Sequence, residues 1–136
     1  MISREFAYTK FGVEKLLERM KNPNICAFKK ISGKKIIGFV EVELKGETGL
    51  INGVSVTPGQ RNRGVGTSLV EHAVEFLKRR GAEKAVLLVK KENLTAKKLY
   101  SSLGFAFSGY REKRIEGSAI EVWEKALADE EIDYLN

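Results

Sequence analysis

The stretch Val54–Gly66, VSVTPGQRNRGVG, constrains the fold more than any other part of this chain. Val54-Ser55-Val56 reads as the end of a strand. Thr57-Pro58-Gly59 breaks it. Gln60-Arg61-Asn62-Arg63-Gly64-Val65-Gly66 then leads without pause into an amphipathic helix. Such a junction offers several backbone N–H groups at a helix N-terminus, where a phosphate is favoured. Gly64 and Gly66 carry no Cβ, so the backbone there can approach a ligand closely. Arg61 and Arg63 place positive charge beside it.

The spacing is neither GxxxxGK[ST] nor GxGxxG, which disfavours a P-loop and a dinucleotide fingerprint. Taken alone, the stretch also reads as an ordinary surface turn between a strand and a helix.

The rest of the chain alternates strands and helices around this junction. Met1–Lys10 is expected as a strand, with Ile2, Phe6 and Tyr8 in partial alternation. Phe11–Lys21 follows as a helix, with Val13, Leu16, Leu17 and Met20 on one face. Strands are expected at Ile25–Ile31 and Lys35–Leu44, the latter with Val40 and Val42 on one face and Glu41 and Glu43 on the other. Leu50–Val56 reads as one strand with an irregularity at Gly53. Gly66–Arg80 is the clearest helix, its apolar face formed by Leu69, Val70, Ala73, Val74, Phe76 and Leu77. The unbroken apolar run Ala85–Val89 suits a central strand covered on both faces. Leu94–Leu103 is a short helix with Asn93 at its N-cap. Phe105–Ile115 and Ala119–Leu127 are expected as two final strands joined at Glu116-Gly117-Ser118. The acidic end, Ala128–Asn136, is free to fray or to dock on a partner.

The expected order is β-α-β-β-β-α-β-α-β-β in a single domain over residues 1–136. It makes a mixed α/β fold, with about seven mostly antiparallel strands and helices on both faces.

Two motifs carry a family resemblance. The pattern Arg61-x-x-Gly64-x-Gly66, after a strand ending V-x-P, resembles the acetyl-CoA pyrophosphate loop of the GNAT superfamily of N-acetyltransferases. Downstream, Asn93-x-x-Ala96-x-x-x-Tyr100-x-x-x-Gly104-Phe105 looks like that family's later helix-and-strand motif. The resemblance implies acetyl-CoA as cosubstrate. It implies that Arg61, Asn62, Arg63, Gly64, Val65, Gly66 and Thr67 hold the pyrophosphate, and that Val54 and Val56 pair through their backbone with pantetheine. It implies a distortion in Leu50–Val56, where the strand parts from its neighbour. It also gives Asn93 a cofactor contact beside its capping role. The family often has two helices between its first two strands, where this chain shows one. That region commonly shapes the acceptor site, so the acceptor stays open.

Acetyl transfer to an amine needs a held donor, a deprotonated amine and a stabilised leaving thiolate. By the resemblance, Tyr100 serves as the general acid for the thiolate. By spacing, it is a core aromatic beside Leu99 and Leu103. No Glu stands in Leu50–Val56, where many family members carry a base. Glu41, Glu43 and Glu47 are candidates from a neighbouring strand or turn, and each also reads as a solvated strand residue. Cys26 has no histidine placed to activate it and reads as a buried thiol. His72 falls at the edge of a polar helix face. With one cysteine and one histidine, neither an internal disulfide nor a histidine-rich metal site is available.

The net charge is +6, but the basic residues are scattered among acidic ones, which disfavours a nucleic-acid partner. No apolar run approaches a membrane span, and the first residues lack a signal-peptide core, so the expected place is the cytoplasm. A homodimer is compatible with the sequence. The leading function is direct transfer of an acetyl group from acetyl-CoA to a primary amine of a peptide, protein or small molecule. The alternative is a non-catalytic acyl-CoA-binding regulatory module.

Overall fold

The computed structural model describes residues 17–61 and 63–127. The expected first strand, Met1–Lys10, the start of the helix Phe11–Lys21 and the acidic end Ala128–Asn136 lie outside the described residues. The described elements are β1 (Ile25–Ser32), β2 (Lys35–Lys45), β3 (Thr48–Val56), a single 3-10 turn (Pro58–Gln60), α1 (Val65–Arg79), β4 (Lys84–Lys90), α2 (Leu94–Ser102), β5 (Ala106–Tyr110) and β6 (Ile120–Ala126). They form one six-stranded sheet in the order β1-β2-β3-β4-β6-β5. Among the described strand pairs only β3 and β4 run parallel. No described helix is long and apolar enough to cross a membrane.

Helix α1 is the crossover between those two parallel strands, and it packs on one face of the sheet. Its buried residues are Val65, Leu69, Val70, Ala73 and Leu77. They meet Val40, Val42, Ile51, Ala85 and Leu87 in one apolar cluster. Two glycines let the helix lie close. A Cβ on Gly38 would stand 2.8 Å from Leu69 Cδ1, and one on Gly49 would stand 2.7 Å from both Leu77 Cδ atoms.

In β2 the alternation runs as expected, with Glu41 and Glu43 on the face away from α1. Glu41 is nevertheless buried rather than solvated, at 3% exposure. Arg19, from the described end of the N-terminal helix, covers it. The expected irregularity in β3 is present. Glu41 pairs with Gly53 and Val42 pairs with Ile51, so Asn52 is the extra residue of a bulge.

Two expectations change. The run Ala85–Val89 is covered less evenly than predicted: Ala85, Leu87 and Val89 are buried, while Leu88 is 44% exposed. The β3–β4 pairing ends at Leu87, so Leu88 has no paired neighbour on the β3 side. The penultimate strand is also shorter than Phe105–Ile115. It ends at Tyr110. Beyond it the chain lifts away into a loop whose tip, Glu116-Gly117, has positive φ at both residues. Lys90 Nζ to Glu116 Oε2 at 3.1 Å, and a hydrogen bond from Ser118 Oγ to Glu92, fasten this loop to the end of β4. Cys26 is half-buried, and His72 is exposed with its ring edge-on to Phe28 at 4.6 Å.

The close seat of α1 gives a direct test. Gly49→Ala forces Leu77, which is fully buried, out of its place. Overpacking of this kind costs about 1–3 kcal/mol. Urea denaturation should show that loss, and a wild-type midpoint would mean that the core relaxes around the new methyl.

Candidate functional site

The parallel ladder between β3 and β4 runs only from Thr48↔Lys84 to Ile51↔Leu87. Both strands continue, β3 to Val56 and β4 to Lys90. They therefore diverge beyond the bulge at Asn52, and an opening forms between Gly53–Val56 and Leu88–Lys90. Thr57 N donates to Ile37 O at 2.9 Å, so Thr57 is bonded towards β2. By strand alternation Ser55 and Gly53 share that direction, and Val54 and Val56 turn their backbone groups towards the opening. The side chains of Val54 and Val56 lie on the α1 face, packed against the core.

The N-terminus of α1 stands at the end of β3. Gly64 is its N-cap, with φ 76° and ψ 7°, and no side chain caps the first turn. No acidic residue lies in that turn. Ser68 N, which donates to Gly64 O at 3.0 Å, is the first backbone amide bonded along the helix. The N–H groups before it form the positive end of the helix dipole. A Cβ on Gly64 would meet nothing within 4 Å, so the space in front of the turn is open. Arg61 and Arg63 are exposed beside it. Arg61 Nε reaches Val56 O at 3.4 Å, a long contact. Asn62 lies outside the described residues.

Helix α2 closes the third side. A Cβ on Gly66 would sit 3.6 Å from Leu99 and 3.7 Å from Val56, so the start of α1, the end of β3 and the middle of α2 converge there. Asn93 Oδ1 accepts from Ala96 N at 3.1 Å, which establishes Asn93 as the N-cap of α2. Tyr100 is partly buried against the core, edge-on to Phe105 at 6.1 Å. Burial pushes its phenol above the ordinary tyrosine value.

Three carboxylates were candidates for a base, and the structure separates them. Glu47 lies in the turn before β3, at the end of the sheet far from the opening. Glu43 Oε1 accepts from Asn52 Nδ2 at 3.0 Å. Glu41 sits in register with Gly53, beside the bulge. Arg19 Nε and Nη2 donate to its two oxygens at 2.7 and 2.9 Å, a bidentate pair. That pair joins residues 22 apart, and no local sequence signal marks it. A second polar cluster also escaped the sequence reading: Glu121 with Lys97 and Trp123. Among the described residues no group of three or more His, Cys, Asp or Glu side chains is placed to hold a metal.

An opened parallel pair, an uncapped helix start beside it and a glycine-and-arginine turn between them form one coherent site. A family model for the acetyltransferase (GNAT) family matches residues 3–105. The chain belongs to the GNAT family. Streptothricin acetyltransferase of Streptomyces lavendulae is 38% identical over 71 residues, which are 52% of this chain and 38% of that protein. The chain spans less than half the length of the curated relatives it matches. The ribosomal-protein-S18-alanine N-acetyltransferase of Escherichia coli shares the fold, with a TM-score of 0.76 at 22% identity over 91% of this chain and 84% of that one. A streptothricin acetyltransferase assignment from Bacillus anthracis, solved in complex with acetyl coenzyme A, gives a TM-score of 0.72 at 23% identity over 81% and 66%. In this GNAT chain Val54 and Val56 lie at the end of β3 and Gly64, Val65, Gly66 and Thr67 at the start of α1, while Tyr100 lies on α2, packed on the core beside Phe105.

The buried ion pair at the bulge is testable by itself. Arg19→Met strands the Glu41 carboxylate, and an unpaired buried charge is costly. Arg19→Met/Glu41→Gln removes that charge as well. Thermal unfolding should therefore place the double variant above the single one. The reverse order would mean that Glu41 finds solvent when Arg19 is gone.

Proposed function

We propose that this GNAT domain transfers an acetyl group from acetyl-CoA directly to a primary amine, without an acyl-enzyme. One observation carries the reading: the β3–β4 ladder stops at Ile51 and Leu87, and the opening it leaves lies against the uncapped start of α1. Acetyl-CoA supplies an activated thioester and a pyrophosphate. The turn fits the pyrophosphate, because the open space at Gly64 faces backbone N–H groups and two arginines. Gly64, Val65, Gly66 and Thr67 would hold it, with Arg61, Asn62 and Arg63 adding charge. Val54 and Val56 would pair with the pantetheine amides as an added strand does. Asn93 keeps α2 in place as its cap and borders the same opening.

Tyr100 is the proton donor in this reading. A phenol raised by burial stays protonated at neutral pH and serves as an acid. It lies on the α1 side of the sheet, the side that holds the cosubstrate. The acceptor then enters from the other face, where Glu41 and Glu43 lie. The acceptor is a peptide or protein amine or a small amine. We place the reaction in the cytoplasm. We also propose that residues 1–136 form a single domain with about seven strands, and that two such domains can pair.

The second reading, a non-catalytic acyl-CoA-binding module, is favoured by one fact. The carboxylate nearest the opening, Glu41, is held by Arg19. A broad screen of amine acceptors that follows CoA release separates the two readings. Release with any amine supports the enzyme, while binding without release supports the module.

Binding itself is read by melting temperature. A ligand that binds only the folded state stabilises it by about 2.7 kcal/mol at a hundredfold excess over Kd. Acetyl-CoA and CoA should raise the melting temperature, and NAD and ATP much less. Gly64→Val should abolish the shift, because its side chain fills the open space before α1. The positive φ adds about 1–2 kcal/mol of strain, so the variant melts lower but still folds. An undiminished shift in Gly64→Val would put the phosphates elsewhere.

Tyr100→Phe keeps the ring against Phe105 and removes only the hydroxyl. The expected result is a kcat lower by about 10²–10⁴-fold with little change in the acetyl-CoA KM. Steady-state kinetics with one acceptor checks it. Wild-type kcat would return Tyr100 to a packing role.

A further inference from the structure

Helix α2 has no fully buried residue. Two lysines fasten it to the sheet. Lys97 Nζ donates to Glu121 Oε2 on β6 at 3.1 Å, and Lys125 Nζ, also on β6, donates to the carbonyl of Leu103 at 2.7 Å. Tyr100 lies between these two ties, three residues after Lys97, and so on the same side of the helix.

Glu121 is, with Glu41, one of two buried carboxylates among the described residues. It is only 5% exposed, and both of its oxygens are used. Oε2 takes the Lys97 ammonium, and Oε1 accepts from Trp123 Nε1 at 2.9 Å. Burial opposes its ionisation, but the hydrogen bonds from Trp123 and Lys97 outweigh it and hold the group below the ordinary glutamate range. In the sheet it pairs with Val89 on β4 and with Tyr110 on β5. Val89 is in the part of β4 that has diverged from β3, so Glu121 stands one strand away from the opening.

An apolar contact between half-buried side chains tolerates sliding and rotation. A charged hydrogen bond fixes both distance and direction. With its apolar side only half covered, α2 takes its register on the sheet from the lysine ties.

We propose that Glu121, acting through Lys97, is a positioning residue for Tyr100: it sets where α2 sits on β6 and so where the phenol stands beside the opening. This inference rests on the acetyl-transfer reading. Glu121 touches no reacting atom. Its effect on the reaction passes through α2.

The test compares wild type, Glu121→Gln, Tyr100→Phe and the double variant with one amine acceptor. Calorimetry measures acetyl-CoA affinity in parallel. Misplacing a reacting group by about 1 Å costs up to about 10²-fold, so Glu121→Gln should lower kcat by about 10- to 100-fold. Acetyl-CoA affinity should hold. In the Tyr100→Phe background the same substitution should add little further loss, because the group it positions is gone. Lys97→Met should reproduce the kcat loss, and Lys97→Arg, which can keep the ion pair, should recover most of it. Trp123 is the only tryptophan, so its emission reports the Glu121 contact without any turnover. That emission should shift in Glu121→Gln. Losses that multiply in the double variant would overturn the proposal, as would an unchanged kcat in Glu121→Gln or an equal loss in acetyl-CoA affinity. If wild type turns over and Tyr100→Phe is as fast, this inference falls while the acetyl-transfer reading stands. A wild type that releases CoA with no amine overturns both.

Discussion

β3 and β4 hydrogen-bond to each other for only four residues each before they separate, and the rest of the molecule is arranged around that separation. Two neighbouring strands do not part without cause, since each leaves unpaired backbone behind. The cause lies on the other edge of β3. Asn52 is inserted opposite the Glu41–Val42 step, and a bulge bends and twists the strand that carries it. The bend falls one residue after the last paired position, Ile51. Helix α1 must then leave from the diverted end of β3 and return to the start of β4. Its first turn is thereby set at the mouth of the opening, and its body over the sheet. Gly38 and Gly49 allow that body to sit low, with Leu69 and Leu77 directly above them. A single inserted residue thus couples the shape of the sheet to the place of the helix dipole.

Much of this was legible in the sequence, because the decisive signals are local. A strand run broken by Thr57-Pro58-Gly59 and followed by an apolar stripe from Leu69 to Leu77 has one simple solution. The irregularity near Gly53 was legible for a similar reason. Asn52-Gly53 looks like a hairpin turn, yet KGETG just before it already turns the chain. An Asn-Gly pair left inside a strand suits a bulge, and the inserted residue is the asparagine. Asn93 was legible as a cap because capping is a contact across three residues.

The features that escaped are held by long-range polar contacts. Residues 111–115, REKRI, contain no glycine or proline to end the strand before Glu116-Gly117-Ser118, but Glu116 and Ser118 are held by Lys90 and Glu92 instead. Glu41 alternates like any solvated strand residue, and only Arg19, 22 positions earlier, makes it a buried one. Glu121 likewise lies in EVWEK, within Ala119–Leu127, which the sequence marks only as a strand. Its burial depends on α2 lying over it. Ion pairs between distant elements leave no periodicity, so a single sequence carries no trace of them.

The two faces of the sheet differ in how they can treat a proton, and that difference bears on the proposed chemistry. On the α1 side, Tyr100 is the acid of the proposed reaction, and burial favours its neutral, proton-bearing form. On the opposite side, Glu41 and Glu43 bring carboxylates, with Arg19 bound to the first and Asn52 to the second. A reaction that delivers a proton to a thiolate and removes one from an ammonium needs an acid and an acceptor of protons, each in an environment that keeps the protonation state its task requires. The sheet supplies two such environments, and the gap between β3 and β4 is where the two sides meet. Glu41 lies against that gap through its pairing with Gly53. Arg19 donates to both of its oxygens, so taking a proton from the acceptor would demand that this pair loosen. An amine with a lowered pKa, or water drawn in with the acceptor, would relieve that demand. The acceptor's own basicity therefore becomes part of what this GNAT chain can select.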